Sequence, residues 1–220
     1  MSFGNMSSLH PRLNDTNIKR VLRLYGVEAS PELCDRIRIY ISTLLQWNAK
    51  ISLTTVTDPE EVLHVHFGES FFAARAAGIA CGRVADIGTG PGFPGIPIRM
   101  VAPAVALVLV EAVAKKAAFL GEVLRKMDIH GVDIIRCRME EIEADLGALD
   151  FITARALGKY DELLRWSKTR FSHSGKIVLL LGQTEAENLS RDAQWLWHEQ
   201  VSVPESSSRV ILVGFPKPAP

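Results

Sequence analysis

Apolar residues follow two different periods along this chain of 220 residues. Near its start they recur at helical spacing, which predicts helices over residues 17–25 and 31–47. Further along, short apolar runs alternate with longer amphipathic stretches, as in buried parallel strands joined by helices. The runs fall at residues 84–86, 105–110, 132–135, 149–153 and 176–181. This alternation predicts an α/β fold with a doubly wound, mainly parallel sheet.

Both ends of the chain extend the predicted sheet domain. The early helices predict an N-terminal helical layer, and we assign residues 1–75 to an extension packed on a core domain of residues 76–220. A further helix is predicted near residues 185–196. Beyond it, two β-like stretches at 200–203 and 209–214 flank a short polar connector, which predicts a C-terminal hairpin at the sheet edge.

Glycines concentrate directly after the first predicted strand, in the sequence VADIGTGPGFPGIPIRM from Val84 to Met100. The strand ends on Asp86, and a helix can start near Pro94, because proline is tolerated in a first helical turn. The glycines are Gly88, Gly90, Gly92 and Gly95. They permit positive φ and close approach of a ligand, and a helix start offers N–H groups to an anion. This order predicts a nucleotide pocket, although glycine and proline also mark plain loops.

Two nucleotide classes compete for this stretch. Gly90 to Gly95 spells G-x-G-x-x-G, the dinucleotide fingerprint, but the match falls late and puts Pro94 inside the pyrophosphate turn. The earlier register, D-x-G-x-G-x-G from Asp86, fits S-adenosylmethionine better. A carboxylate at the tip of the first strand can face the methionine ammonium, whereas it would repel a pyrophosphate. We therefore predict S-adenosylmethionine as the cofactor.

Two further acidic positions follow the next strands. Glu111 ends the second strand, about twenty residues past the glycines, where a carboxylate can accept bonds from both ribose hydroxyls. Met139 and Glu140 follow the third strand, where an acid can accept from the adenine amino group. The alternatives are a solvated glutamate at a helix start for Glu111 and a plain charged loop for Glu140.

Charge is balanced overall but uneven locally. The 25 basic and 25 acidic residues cancel, so the total gives no sign of a polyanion partner. Between residues 151 and 182 the bases nevertheless outnumber the acids Asp161 and Glu162. These bases are Arg155, Lys159, Arg165, Lys168, Arg170 and Lys176. A basic rim beside the pocket would suit a nucleic-acid substrate, and the alternative is a solvated helix face.

Cysteine and histidine spacing argues against metal and disulfide sites. The cysteines Cys34, Cys81 and Cys137 are far apart and lack C-x-x-C spacing, so we expect a reducing cytoplasm. His64 and His66 stand two apart and cannot share a helix face, so no metal site is predicted. The start of the chain lacks an apolar signal core and no apolar run is long enough for a bilayer, so no membrane partner is expected. We expect a monomer.

Several short motifs occur in order along the chain. They are Trp47-Asn48 with Ile51 to Thr54, His66 with Glu69-Ser70, the DIGTGPGFPGIP stretch, Lys115 with Phe119-Leu120, Arg138 to Glu141, and Ala154 to Ala156. Together they closely resemble the RsmG (GidB) family of bacterial methyltransferases. The resemblance implies a Rossmann-like class I methyltransferase sheet and transfer of a methyl group from S-adenosylmethionine to guanine N7 of 16S ribosomal RNA. It also implies that the cofactor contacts Gly88, Phe93, Met139, Glu140 and Arg155.

The methyl transfer implied by this resemblance requires few catalytic groups. Guanine N7 carries a free lone pair, so it can attack the sulfonium methyl without prior removal of a proton, and catalysis reduces chiefly to positioning. Arg155 is the candidate catalytic residue, placed where cofactor and target would meet. The chain departs from the family pattern at Ser52, Val65, Glu69 and Leu181. Alternative functions are methylation of a small molecule or protein, or a non-catalytic RNA-binding role in ribosome assembly.

Overall fold

One mostly parallel sheet forms the centre of this computed structural model, which describes residues 11–142 and 146–218. Its strands within the described ranges are β1 Cys81–Ile87, β2 Ala104–Val110, β3 Val132–Ile135, β4 Leu149–Arg155, β5 Phe171–Gly182, β6 Trp195–Trp197, β7 Val201–Ser202 and β8 Arg209–Pro216. They lie in the order β3-β2-β1-β4-β5-β8-β6, with β7 paired to β8. The first five strands are parallel to one another, and β8 is antiparallel to β5.

Helices cover the sheet and form the N-terminal layer. They are α1 Asp15–Leu24, α2 Pro31–Asn48, α3 Pro59–Val62, α4 Glu69–Ala77, α5 Gly95–Val101, α6 Ala114–Lys126, α7 Tyr160–Ser167 and α8 Gln183–Leu189. A π-helical stretch, Leu63–Gly68, joins α3 to α4, and short 3-10 turns occupy Pro11–Leu13 and Met139–Glu141. Asn14 caps α1 and Ser30 caps α2, each by accepting a hydrogen bond from an amide three residues on.

The strand order reverses between β1 and β4. From β1 the chain moves to β2 and β3 on one side, and then crosses to β4 on the other. In open parallel sheets the crevice at such a reversal, outside the carboxyl ends of the strands, is where ligands bind. The residues that follow β1, β2, β3 and β4 therefore meet at one edge of the sheet, here called the carboxyl edge. This arrangement confirms the predicted doubly wound, mainly parallel fold.

The N-terminal layer shares a hydrophobic core with one face of the sheet. Ile37, Tyr40 and Ile41 of α2 are buried in the same cluster as Val84 of β1 and Phe119 of α6. Because that core is continuous, α2 packs directly behind the glycine-rich segment that follows β1. The division into segments at residue 75 remains a prediction.

The C-terminal segment differs in part from the prediction. The predicted hairpin is present, since β7 pairs with β8 through Val201 and Ile211. The helix predicted to continue to residue 196 instead ends at Leu189. A turn follows in which Asp192 accepts a hydrogen bond from the amide of Gln194. The next residues then form β6, which packs two tryptophans against the sheet, so helical spacing is not maintained there.

Candidate active site

A cavity of about 250 Å³ opens at the carboxyl edge, where β1, β2, β3 and β4 end. Four of the predicted cofactor residues line it: Gly88, Glu111, Met139 and Glu140. Leu157 and Lys159, in the loop after β4, close the opposite side. The apolar walls come from Ile87 and Val110 at the strand tips, with buried Met139. The cavity thus joins an apolar slot to a few polar groups, as small-molecule sites do.

Glu111 is fixed at the wall of this cavity by two main-chain amides. Its Oε2 accepts a hydrogen bond from Gly90 N at 3.0 Å, and its Oε1 accepts one from Val113 N at 2.7 Å. Only 5% of the residue is exposed. A carboxylate has about four lone-pair sites, so each oxygen retains capacity for a further donor. The side chain can therefore hold the glycine turn to β2 and still accept from two hydroxyls.

Asp86 lies beneath the glycine turn and is fully buried, which differs from the predicted position facing the methionine ammonium. Its Oδ2 accepts from Gly95 N at 2.9 Å and from the Thr89 hydroxyl, while its Oδ1 accepts from the Thr153 hydroxyl at 2.9 Å. Burial raises the pKa of this carboxyl to about 6, and the three hydrogen bonds oppose that rise. Because protein donors already surround both oxygens, Asp86 supports the turn from below.

The glycine turn itself depends on positive φ at Gly88, Gly90 and Gly92. The carbonyl oxygen of Thr89 accepts from Gly92 N and from Phe93 N, which closes the turn. Gly88 borders the cavity, whereas Gly90 and Gly92 are not among the residues that line it. Phe93 is buried and is not among the residues that line the cavity.

Arg155 ends β4 and points toward the N-terminal layer. Its guanidinium donates to the carbonyl oxygen of Val65 at 2.9 Å and forms an ion pair with Glu69 at 3.1 Å. Arg209 of β8 approaches the same carboxylate at 3.5 Å. Burial raises the pKa of Glu69, and the two arginines oppose that rise. Arg155 is therefore held against the N-terminal layer, and it is not among the residues that line the cavity.

His66 lies next to this ion-pair cluster. Its ring stacks on Phe93 with centroids 4.6 Å apart, and its Nε2 hydrogen-bonds the Thr54 hydroxyl at 2.9 Å. Burial first, and then the charges of Arg155 and Arg209, lower the pKa of His66 to about 3, so the ring is neutral at neutral pH.

An ion pair spans the cavity entrance. Lys159 Nζ lies 3.5 Å from Glu140 Oε1 and 3.1 Å from Glu162 Oε2. Glu140 follows β3 and Lys159 follows β4, and β2 and β1 lie between those strands. The pair therefore crosses above the cavity from one side to the other. Two exposed carboxylates therefore accompany the Lys159 ammonium at the cavity entrance.

The predicted basic rim is divided between two edges of the sheet. Arg155 ends β4, Lys159 follows it, and both lie at the carboxyl edge. Lys168 and Arg170 precede β5 and lie at the opposite, amino edge, where the Arg170 guanidinium stacks 4.4 Å from the Trp166 ring centroid. A single rim beside the cavity is therefore wrong, because residues before and after parallel strands cannot share an edge. Other bases follow β2 and β3 at the carboxyl edge: Lys115, Lys116, Arg136 and Arg138.

The remaining expectations concern metals, disulfides and membranes. Over residues 11–142 and 146–218, no group of three or more His, Cys, Asp or Glu side chains is arranged to hold a metal ion. His64 pairs with the Tyr25 hydroxyl at 3.2 Å, so it turns away from His66. The three cysteines are free thiols. Within the same described part of the chain, every helix falls short of the length and apolarity needed to cross a membrane.

Sequence reasoning missed the supporting residues of the site. Tyr40 on α2 bonds the glycine turn, and Thr153 on β4 bonds Asp86 across 67 positions of sequence. Tyr40 has the spacing of an ordinary core residue, so no local signal distinguishes it. The edge assignment of Lys168 and Arg170, by contrast, follows from the direction of the predicted fifth strand.

Comparisons with known proteins agree with this geometry. A family model described as rRNA small subunit methyltransferase G (GidB) matches residues 33–210, which is most of the chain. The ribosomal RNA small subunit methyltransferase G of Myxococcus xanthus is 34% identical over 177 residues, covering 78% of this chain and 81% of that protein. Its counterpart from Desulfitobacterium hafniense is 32% identical over 167 residues, covering 74% and 69%.

Solved structures show the same fold at low sequence identity. The precorrin-6y C5,15-methyltransferase of Geobacter metallireducens superposes with a TM-score of 0.57 and 16% identity, covering 76% of this chain and 92% of that one. The likeness supports a class I Rossmann-like methyltransferase fold. The resemblance seen in the sequence motifs is confirmed by the family match: this chain belongs to the GidB family of ribosomal RNA small subunit methyltransferases.

Proposed function

We propose that this chain transfers a methyl group from S-adenosylmethionine to guanine N7 in 16S ribosomal RNA. The observation that carries the proposal is the cavity at the strand reversal, with Glu111 fixed at its wall, in a chain of the GidB family. The relatives' names state the ribosomal RNA and the small subunit. The choice of N7 rests on the family resemblance in the sequence motifs and on the chemistry of that atom.

The residues of the cavity fit the cofactor. Glu111 retains lone pairs for the ribose hydroxyls, and Gly88 offers bare main chain to the methionine part. Met139 supplies an apolar surface for the adenine, and Glu140 supplies a carboxylate for its amino group. Gly90, Gly92 and Phe93 act indirectly, by holding the turn in place.

The chain's own residues would mainly position the reactants. S-adenosylmethionine supplies an electrophilic methyl group on a sulfonium. Guanine N7 has an accessible lone pair on the major-groove edge of the base, so no general base is needed. Arg155, held by Glu69 and Val65, would orient the target base or its phosphate beside the cavity. In this proposal Arg155 is the catalytic residue.

The RNA would approach the carboxyl edge. Lys115, Arg136 and Arg138 are exposed there. Cationic side chains provide the salt-dependent part of nucleic-acid affinity through contacts with phosphates. A ribosomal substrate also implies that the protein works in the cytoplasm, and we propose that it does so as a monomer.

Binding of S-adenosylmethionine and transfer of a labelled methyl group test the proposal together. The parent should bind the cofactor in titration calorimetry, and Glu111→Ala should weaken binding by roughly 1.5–3 kcal/mol, the range for hydrogen bonds to a charged group. Glu187→Ala, at an exposed glutamate of α8, is the matched control and should bind as the parent does. Small subunits from a strain that lacks the modification should then accept label. Absence of both binding and transfer would refute the proposal.

A further inference from the structure

Tyr40, in the N-terminal layer, contacts the glycine turn directly. It lies in the middle of α2 and is fully buried. Its hydroxyl donates a hydrogen bond to the carbonyl oxygen of Pro91, which stands between Gly90 and Gly92 in the turn. Burial raises the pKa of this hydroxyl well above its ordinary value, so it remains a neutral donor at any physiological pH.

The glycine turn leaves space for the Tyr40 hydroxyl at Gly92. Gly92 has a φ of +99°, and a Cβ atom at that position would lie 2.6 Å from Tyr40 Oη. The Tyr40 ring also packs against Phe93, the residue that follows, with centroids 5.1 Å apart. Glycine at position 92 therefore provides both the left-handed conformation and the space for the tyrosine.

The same turn is bonded to the cavity wall on its other side. Gly90 N donates to Glu111 Oε2 at 3.0 Å, one residue before the carbonyl that Tyr40 holds. Only a few main-chain torsions separate the two contacts, so a shift of Pro91 also reorients the Gly90 amide. A continuous path of contacts thus links α2 to the carboxylate that lines the cavity.

We propose that Tyr40 is a positioning residue for the cofactor pocket. Its hydroxyl fixes the turn and thereby fixes the orientation of the Glu111 carboxylate toward the ribose. The inference rests on the proposed function, because it assigns the cavity to S-adenosylmethionine. Under this proposal α2 contributes a positioning residue to the cofactor pocket in addition to its residues in the hydrophobic core.

Tyr40→Phe tests this role, because it removes the hydroxyl and keeps the ring contacts. Tyr25→Phe is the matched control: Tyr25 is also buried in the N-terminal layer, and its hydroxyl pairs with His64 at 3.2 Å, away from the turn. Titration calorimetry on the full chain should show S-adenosylmethionine binding weakened roughly three- to tenfold in Tyr40→Phe, the effect of one lost hydrogen bond, and unchanged in Tyr25→Phe.

Kinetics separate positioning from general destabilisation. With saturating RNA, the KM for S-adenosylmethionine should rise in Tyr40→Phe while kcat stays within about twofold of the parent, since the reacting groups are unchanged. Amide exchange at Thr89, Gly90 and Gly92 in the cofactor-free protein should also be faster in this variant and unaltered in Tyr25→Phe. Equal cofactor affinity in parent and Tyr40→Phe, or equal weakening in both variants, overturns the role of Tyr40. A parent that binds no S-adenosylmethionine contradicts the proposed function, and the Tyr40 proposal falls with it.

Discussion

The carboxylate of Asp86, at the end of β1, accepts a hydrogen bond from the main-chain amide of Gly95 at 2.9 Å. That bond joins the strand to the first residue of α5 and so holds both ends of the glycine turn. Glu111 holds the same turn from β2 through Gly90. The two acids have different tasks: Asp86 is enclosed by protein, and Glu111 borders the cavity.

Asp86 should make folding less favourable as the pH rises through its titration range. Its pKa is raised from 3.8 in the ordinary state to about 6 in the folded protein, so the folded state holds the proton more tightly. The folded state therefore binds more protons between about pH 4 and pH 6, and stability falls with rising pH in that window. As the pH rises through this window, the free energy of unfolding of the parent should fall by on the order of 2–3 kcal/mol relative to that of Asp86→Asn. This follows from about 1.36 kcal/mol per unit of pKa difference.

Urea denaturation of both proteins across this pH range measures the difference. Asparagine retains an acceptor for Gly95 and does not titrate, so the comparison isolates the carboxyl group. A difference in unfolding free energy that stays constant from about pH 4 to about pH 6 would show that the Asp86 pKa is not raised.

His66 should have the opposite pH dependence. Its pKa is lowered from 6.5 to about 3 in the folded protein, so the unfolded chain binds the proton more readily. The stability associated with the neutral ring is therefore complete above about pH 6.5 and is lost as the pH falls toward about 3. On acidification the parent should lose stability relative to His66→Gln in denaturant melts. Parallel stability curves for the two proteins would contradict the lowered pKa.

Glu69 should be essential for stability because it is the acid that pairs with buried Arg155. Glu69→Ala leaves that guanidinium buried without its carboxylate, and breaking a buried pair in this way costs roughly 3–5 kcal/mol. The control is Glu162→Ala, which removes an exposed partner of Lys159 and should leave the melting temperature unchanged. If Glu69→Ala unfolds at the same denaturant concentration as the parent, the ion pair does not hold Arg155 in place.

RNA binding should depend on the carboxyl edge of the sheet. Lys115→Glu with Arg136→Glu should weaken binding to small-subunit RNA and flatten its dependence on salt, because phosphate contacts release counterions. Lys168→Glu with Arg170→Glu makes the same change in net charge at the amino edge and serves as the control. Filter binding over a salt series distinguishes the pairs. Stronger loss from the amino-edge pair would mean that the RNA approaches from the other side.

The fold could be predicted from the sequence because each strand and helix is marked by a local pattern of apolar residues. Each parallel strand is a short apolar run, and Glu111 falls at the tip of the second run, so its place on the cavity wall follows from strand order. The direction in which the Asp86 side chain points could not be predicted from the sequence. Whether an acid at a strand tip faces the ligand or its own turn depends on partners such as Thr153, which comes from a strand far along the chain.

One departure from the family pattern lies at the end of β5. Leu181 stands where the resemblance leads one to expect a lysine, and the sequence suggests a missing surface charge. In the structure Leu181 is 1% exposed and lies in the hydrophobic core, opposite Val210 on the neighbouring strand β8. The nearest acids to the Lys159 ammonium at the carboxyl edge are Glu140 at 3.5 Å and Glu162 at 3.1 Å. The burial of this leucine agrees with the apolar run of residues 176–181 that the sequence assigns to a buried strand, and the structure adds its partner on β8.

Nucleoside analysis of methylated ribosomal RNA tests the central claim most directly. Small subunits that lack the modification are incubated with the protein and S-adenosylmethionine carrying a labelled methyl group, and the RNA is digested to nucleosides and separated. We predict that the label appears as 7-methylguanosine, and that Arg155→Ala, assayed under conditions in which it is folded, lowers the yield. Label in another nucleoside, in ribosomal protein, or in no product from a protein that binds the cofactor would contradict the account.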